Sequence, residues 1–328
     1  MKNETLKILL KRAISSLVVL FLLMTFIFVL LRVSPGDPTD KFISPRMSPQ
    51  LITHVKDSFN LNGSVLDQYK SFVINLSRGD FGISYNYRMP VLSVISGYLR
   101  FTLIFSLISF VLQISFGFLF AIISVQKING ILDRTFSKLS LIIYATPSFV
   151  IGVFLIYIFS ASFNIFPSSG LQSFDSADFS FLQSFFDYAK HMILPLATLS
   201  FGGIAVFYRY LRDNLEETYN KPFVLNLRAN GLDEKTILLK HIIPNAIGPL
   251  IAVAGVELGI LFGGALITEV IFALPGMGRL TITAILSRDY PLVVGCTFVS
   301  GVLVVLSNFA ADLLKAKIDK RLIKGILN

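Results

Sequence analysis

Six apolar runs, each long enough to cross a bilayer, constrain this chain more than any other feature: Ala13 to Leu31, Phe101 to Val125, Leu139 to Phe163, Met192 to Tyr210, Ile247 to Ile271 and Leu292 to Ala311. A spanning helix needs about 20 such residues, because each adds only about 1.5 Å towards a hydrocarbon core about 30 Å thick. In lipid every backbone N–H and C=O must find a partner within the protein, which leaves helices and closed barrels. Barrel strands would show about 10 residues of alternating polarity, and these runs are continuous. The chain is 54% hydrophobic and 15% charged over 328 residues, with a mean hydropathy of +0.71, too apolar for a soluble domain. The expected fold class is an all-α polytopic membrane protein with six transmembrane helices.

Lys and Arg placement orients the bundle. The N-terminal end (Lys2, Lys7, Lys11, Arg12), the loop bearing Lys127, Arg134 and Lys138, and the tail bearing Lys315, Lys317, Lys320, Arg321 and Lys324 are basic. Between Ser162 and His191 only Lys190 opposes Asp175, Asp178 and Asp187. Both termini are therefore expected in the cytoplasm. Positive-inside topology accounts for the basic pI, so no nucleic-acid partner is implied. The first run lacks a small-x-small cleavage site and reads as a retained helix. Cys296, the sole cysteine, lies inside the sixth run and has no internal disulfide partner.

On this topology the polar stretch from Leu211 to Pro244 is cytoplasmic. Arg212, Lys221, Arg228, Lys235 and Lys240 alternate there with Asp213, Glu216, Glu217, Asp233 and Glu234, while Phe223, Val224, Leu225, Leu227, Ile237, Leu238 and Leu239 recur among them. A plain connector needs no such apolar residues. Short amphipathic helices that touch both the membrane domain and another protein do. Gly231 supplies a positive φ for a tight turn and Asp233 an N-cap. The expectation is helix, glycine turn, helix, with Pro244 at the membrane re-entry.

The segment from Gly231 through His241 to Pro244 resembles the cytoplasmic EAA motif of ABC-importer permeases, in the form found in the oligopeptide and dipeptide permease B subfamily. The resemblance spans nearly the whole chain. Pro35-Gly36-Asp37-Pro38, Arg78-Gly79-Asp80-Phe81-Gly82, Ala145-Thr146-Pro147-Ser148-Phe149, Leu274-Pro275-Gly276-Met277-Gly278-Arg279 and Arg288-Asp289-Tyr290-Pro291 are similar to that subfamily's landmarks. It departs at Leu225-Asn226-Leu227, where the subfamily usually keeps a small residue at the third place.

The resemblance implies a type I ABC-importer permease in a bacterial cytoplasmic (inner) membrane. Residues 1–100 would form a first helix plus an extracytoplasmic loop, and 101–328 a core of five transmembrane helices with the coupling loop 211–244. It implies a second homologous permease subunit, two ATP-binding cassette subunits and an extracytoplasmic substrate-binding protein. Oligopeptides or dipeptides would be the commonest cargo, and nickel, glutathione or oligosaccharides the alternatives carried by relatives. Arg228, Ala229, Gly231, Glu234, Lys235, His241 and Pro244 would meet the ATPase. Gly231 would set the angle of the turn, and Arg228, Glu234 and Lys235 would make rim contacts. Asp37, Asp80, Pro275, Gly276, Gly278 and Asp289 mark the outer gate or outer loops.

None of the 22 glycines is followed by lysine, so the phosphate-cradling Walker A pattern is absent. This chain should bind no cofactor and hydrolyse nothing. ATP and Mg would be held by the partner ATPases. His54, His191 and His241 are scattered without metal-ligand spacing. No nucleophile elbow points to a membrane enzyme.

Gly255, Gly259 and Gly263 recur every four residues in the fifth run, as helices in close contact require. Glu257 lies on nearly the opposite face, about 15 Å into the run. Facing lipid it would cost about 3 kcal/mol, so it either lines a translocation pathway or bonds to a neighbouring helix. An ion-coupled secondary transporter would carry more intramembrane charge and an internal repeat. In the outer interval, Ser48-Pro49 with Leu51, Val55 and Phe59, then Leu66, Tyr69, Val73 and Leu76, predict two small amphipathic helices that meet a binding protein or plug the outer face. The Pro275 to Gly278 turn either breaks a helix or belongs to the outer gate.

Overall fold

The computed structural model describes residues 2–33 and 64–318. Asp37 with its Pro35 to Pro38 landmark, the helix expected after Ser48-Pro49, and the tail beyond residue 318 lie outside the described residues. Helices α1 (Lys2–Val33), α3 (Val91–Val125), α6 (Phe181–Tyr219), α10 (Leu250–Ile271) and α12 (Tyr290–Ile318) each contain a segment long and apolar enough to cross a membrane. The sixth expected span is a pair, α4 (Ile131–Ala145) and α5 (Ser148–Leu155) with a π-helical extension Ile156–Ser162, bent by 105°. Among the described residues there is no strand beyond an isolated bridge between Ile83 and Pro90.

The bend corrects the reading of Leu139 to Phe163 as one continuous helix. Pro147 clashes with a helical conformation of the residue before it. Thr146 accordingly sits at φ −93° and ψ 126°, extended. Its Oγ1 donates to the Ile142 carbonyl at 2.7 Å, occupying an acceptor freed at the end of α4.

Two other boundaries differ from the apolar pattern. Helix α3 begins at Val91, because Val91, Val94 and Ile95 are buried against Met277, Leu280, Leu292 and Cys296. Helix α6 runs on to Tyr219, so Leu211–Tyr219 is not loop. The i, i+4 rhythm of Phe207, Leu211 and Leu215 carries a buried stripe straight through the polar residues there. Before α3 the helix α2 (Val65–Ser77) forms as its spacing predicts. It lies on α1, with Phe28 and Tyr69 rings 5.2 Å apart and Thr25 Oγ1 2.8 Å from Tyr69 Oη. This seats α2 on the first span.

Candidate coupling surface and the polar sites of the bundle

Helix α7 (Pro222–Ala229) starts with proline in its first turn, where no N–H is needed. The chain then reverses at Gly231, φ +79°, with the Leu232 N–H donating to the Leu227 carbonyl at 3.2 Å. Asp233 caps α8 (Glu234–Thr236) by accepting from the Thr236 N–H at 3.0 Å. An α-ladder cannot continue through Pro244, whose ring meets the carbonyl four residues back. The chain widens into a π-helical stretch, Ile237–Ile242, before α9 (Ile243–Ala246). Pro244 is thus inside a helical run, and the break before the membrane falls later, between α9 and Leu250.

This element has two faces. Val224, Ile237, Leu238, Ile242 and Ile243 are buried against Ala121, Val125, Phe207, Tyr208, Leu211 and Leu215. Leu225, Asn226, Lys235, Leu239 and Lys240 are exposed on the other, Leu225 at 68%. The departure from the family pattern has a packing reason. Leu227, three residues after Val224, is half-buried on the same cluster, where a small residue would leave space.

The charges are not all free for contacts. Arg228 Nε donates to Glu234 Oε1 at 2.5 Å and its second nitrogen to Oε2 at 3.1 Å. Its guanidinium also lies 5.8 Å from the Tyr219 ring centroid. The pair bridges the turn while both side chains stay exposed. The Arg228 hydrogen bonds hold Glu234 below the ordinary glutamate range. A depressed carboxylate contributes its stability above its unfolded pKa of about 4.3 and loses it as pH falls through the lower folded value. At neutral pH the fork is complete. Arg228→Gln should therefore cost no more than about 1 kcal/mol, since the pair is exposed. The cost should show as faster amide exchange at Leu232 at pH 7, with the wild type approaching the variant as pH falls below the ordinary glutamate range. Arg212, also counted among the loop charges, points inward to Asp133 of α4 at 3.0 Å. Ala229 and Lys235 are exposed, and His241 is half-buried with its carbonyl accepting from Asn245 Nδ2 at 2.7 Å.

In α10 the glycine face packs on α12, with Gly255 against Ala311 and Gly259 against Val304. Glu257, on the other side, is half-buried and has no hydrogen-bond or ion-pair partner among the described residues.

Among the described residues, the landmarks expected at the outer gate come together in two clusters. Asp289 is fully buried and accepts from Ser84 Oγ at 2.5 Å, the Asn86 N–H at 3.0 Å and the Leu292 N–H at 3.3 Å. Asp80 accepts from the Gly82 N–H at 2.8 Å, folding the loop that delivers Ser84. Nearby, burial pushes the Tyr85 hydroxyl up, with Asp289 adding to the shift.

The second cluster contains a residue the sequence reading missed. Glu269 of α10 is fully buried and accepts from Thr102 Oγ1 at 2.7 Å, the Gly278 N–H at 2.7 Å and the Arg279 N–H at 3.1 Å. It satisfies the open N–H groups at the start of α11 (Met277–Leu286). Thr102 in turn accepts from the Met277 N–H at 2.8 Å. A Cβ at Gly276 would overlap the Glu269 carboxyl, and one at Gly278 would overlap Leu266 and Glu269. The Pro275 to Gly278 turn is therefore built around this carboxylate. Glu269 was legible as a second acidic residue at the end of the fifth apolar run. Glu257 lies three turns away, about 18 Å along the helix, and joins neither cluster.

Residues 5–109 match the family "Binding-prot-dependent transport system membrane comp, N-term", and residues 113–324 match "Binding-protein-dependent transport system inner membrane component". The oligopeptide transport system permease protein AppB of Bacillus subtilis is 31% identical over 95% of this chain and 98% of its own length. The "Probable peptide ABC transporter permease protein y4tP" of Sinorhizobium fredii is 32% identical over 95% and 98%. The nickel import system permease protein NikB of Staphylococcus aureus is 32% identical over 96% and 92%. Among solved structures, the inward-facing MetNI methionine ABC transporter aligns with 70% of this chain and 94% of that chain at 20% identity, with a TM-score of 0.47. Matched along almost its full length, the chain belongs to the binding-protein-dependent transport system inner membrane component family and is a membrane permease subunit of an ABC importer.

Proposed function

We propose that the chain is one half of a peptide-conducting pore, completed by a second homologous permease and driven by two ATP-binding cassette subunits docked on the surface formed by α7, the Gly231 turn and α8. An extracytoplasmic binding protein would deliver the cargo. The observation that carries the coupling role is the two-faced element itself. One face is sealed onto the C-terminal ends of α3 and α6, and the other presents Leu225, Leu239, Lys235 and Lys240 to solvent. Lys and Arg placement supports both termini and this element in the cytoplasm. This subunit would itself hydrolyse nothing and hold no cofactor.

Peptide cargo is supported by the names of relatives such as AppB and y4tP. Nickel is the second reading, because NikB matches at a similar identity, 32% over 96% of this chain and 92% of its own length. Mass spectrometry and metal analysis of the cognate binding protein, purified without denaturation, separate the two. A ladder of short peptides supports the first reading, and stoichiometric nickel without peptide overturns it.

Glu257 is the candidate for the pathway wall, half-buried and unpartnered on the face away from the α12 contact. Glu257→Gln should lower uptake roughly tenfold, the worth of about 1.4 kcal/mol, with normal assembly. Unchanged uptake would remove Glu257 from the pathway.

A further inference from the structure

We infer that the Arg212–Asp133 ion pair, its carboxylate buried and its guanidinium half-buried, is the positioning link that carries movement of the docking surface into the bent helix pair α4–α5. The inference rests on the coupling role proposed above and adds the route. Arg212 Nε donates to Asp133 Oδ1 at 3.0 Å, and a second guanidinium nitrogen donates to Oδ2 at 3.0 Å. Asp133 is 3% exposed and Arg212 17%. The second Asp133 oxygen also accepts from the Asn129 N–H at 2.9 Å, fixing the turn that opens α4. One helical turn before Arg212, the Tyr208 hydroxyl lies 3.1 Å from Ser124 Oγ of α3 and 3.0 Å from Ser137 Oγ of α4. Arg212 itself is steadied by Glu216, one turn further on.

Three features make this a link and not only a staple. A guanidinium–carboxylate fork fixes both the separation and the relative rotation of two helices, which apolar contact alone does not. The fork lies about two turns before the end of α6. Only Asn220 and Lys221 separate that end from α7, and Arg228 of α7 sits over the Tyr219 ring. Displacement of α7 therefore reaches α6 with little slack. On the other side, α4 ends at the Thr146–Pro147 bend, and α5 beyond it packs on both α6 and α10, with Gly152 against Thr198 and Phe272. Movement of α4 is thereby delivered to the helix that carries Glu257. Buried ion pairs contribute little net stability compared with apolar pairs of the same size, so stability alone gives this site no need of charges.

The test uses the complete importer with its ATPase subunits. Spin labels at Leu141→Cys in α4 and Leu306→Cys in α12, both exposed in this chain, report the position of α4, and a label at Lys221→Cys, exposed at the N-cap of α7, with the one at Leu306→Cys reports α7. ATP with vanadate, which traps closed ATPases, is the probe. In the parent complex both distances should shift on trapping. In Asp133→Asn the α7 shift should remain, while the α4 shift is lost. Asp133→Glu, which keeps the charge, should recover most of it. Retention of the full α4 shift in Asp133→Asn overturns the inference. If that variant does not assemble, Arg212→Lys, with the charge but no fork, is read the same way, and a full shift there, or failure of both to assemble, equally overturns it. Absence of any shift in the parent would instead sink the coupling reading itself.

Discussion

Gly231→Val should cut substrate uptake and substrate-stimulated ATP hydrolysis together, by about tenfold or more, while the chain still inserts and accumulates in the membrane. The reason is confined to the backbone. Gly231 sits at φ +79°, and an added Cβ would meet nothing within 4 Å, so no steric clash with neighbours confuses the result. An L-residue in this region costs about 1 to 2 kcal/mol, and a β-branched one more, so the turn relaxes towards negative φ. That relaxation pulls apart the Leu232 to Leu227 hydrogen bond and the Arg228–Glu234 fork that close the turn. The exposed face of α7 then no longer lies in register with α8. Gly231→Asn, the side chain that best tolerates positive φ, should retain much of the activity. Parallel measurement of uptake, stimulated ATP hydrolysis and membrane abundance checks this. A variant that loses only abundance would return the loop to the status of a connector.

Glu269→Ala should be strongly destabilising. It leaves the buried Thr102 hydroxyl and the part-buried Gly278 and Arg279 N–H groups without their acceptor. A buried unsatisfied group costs about 1 to 3 kcal/mol and a part-buried one less, so a loss of about 2 kcal/mol or more is expected after partial relaxation. Glu269→Gln keeps one acceptor oxygen and should lose roughly half as much. Gly276→Ala should also destabilise, because its Cβ overlaps the Glu269 carboxyl. Combined with Glu269→Ala, it should cost less than the sum, since the first substitution removes what the methyl group strikes. Thermal unfolding of the detergent-solubilised importer measures the whole cycle. Strict additivity, or an unshifted transition in Glu269→Ala, would contradict the clamp.

The clamp also explains why the Pro275 to Gly278 turn was readable as a landmark but not as a mechanism. Its glycines are needed for close approach to a carboxylate that lies seven residues earlier than Gly276 and on another helix. Asp289 is a similar case. Its neighbours on the chain gave no hint that its partners would be Ser84 and Asn86, about two hundred residues away. The charges between Arg212 and Glu234 were read as one docking set. The structure divides them, because helix α6 continues to Tyr219 and turns Arg212 inward, while the Gly231 turn brings Arg228 onto Glu234.

What the sequence by itself determined is what depends on neighbours a few residues apart. The apolar runs follow from the cost of leaving lipid-soluble side chains in water. The Gly231 reversal and the Asp233 cap follow from local φ preference and i, i+3 hydrogen bonds. What only the tertiary structure decided is which faces meet: the 105° turn at Thr146–Pro147, Glu269 at the head of α11, and Arg212 on Asp133. Within a membrane, apolar faces are nearly interchangeable, since lipid tails solvate leucine as well as another helix does. The choice among packings therefore falls to a few buried polar groups that must find partners and to small residues that allow close approach. Those partners lie 79 residues apart for Asp133 and Arg212 and 167 for Thr102 and Glu269, separations at which no local pattern in the chain can record the pairing.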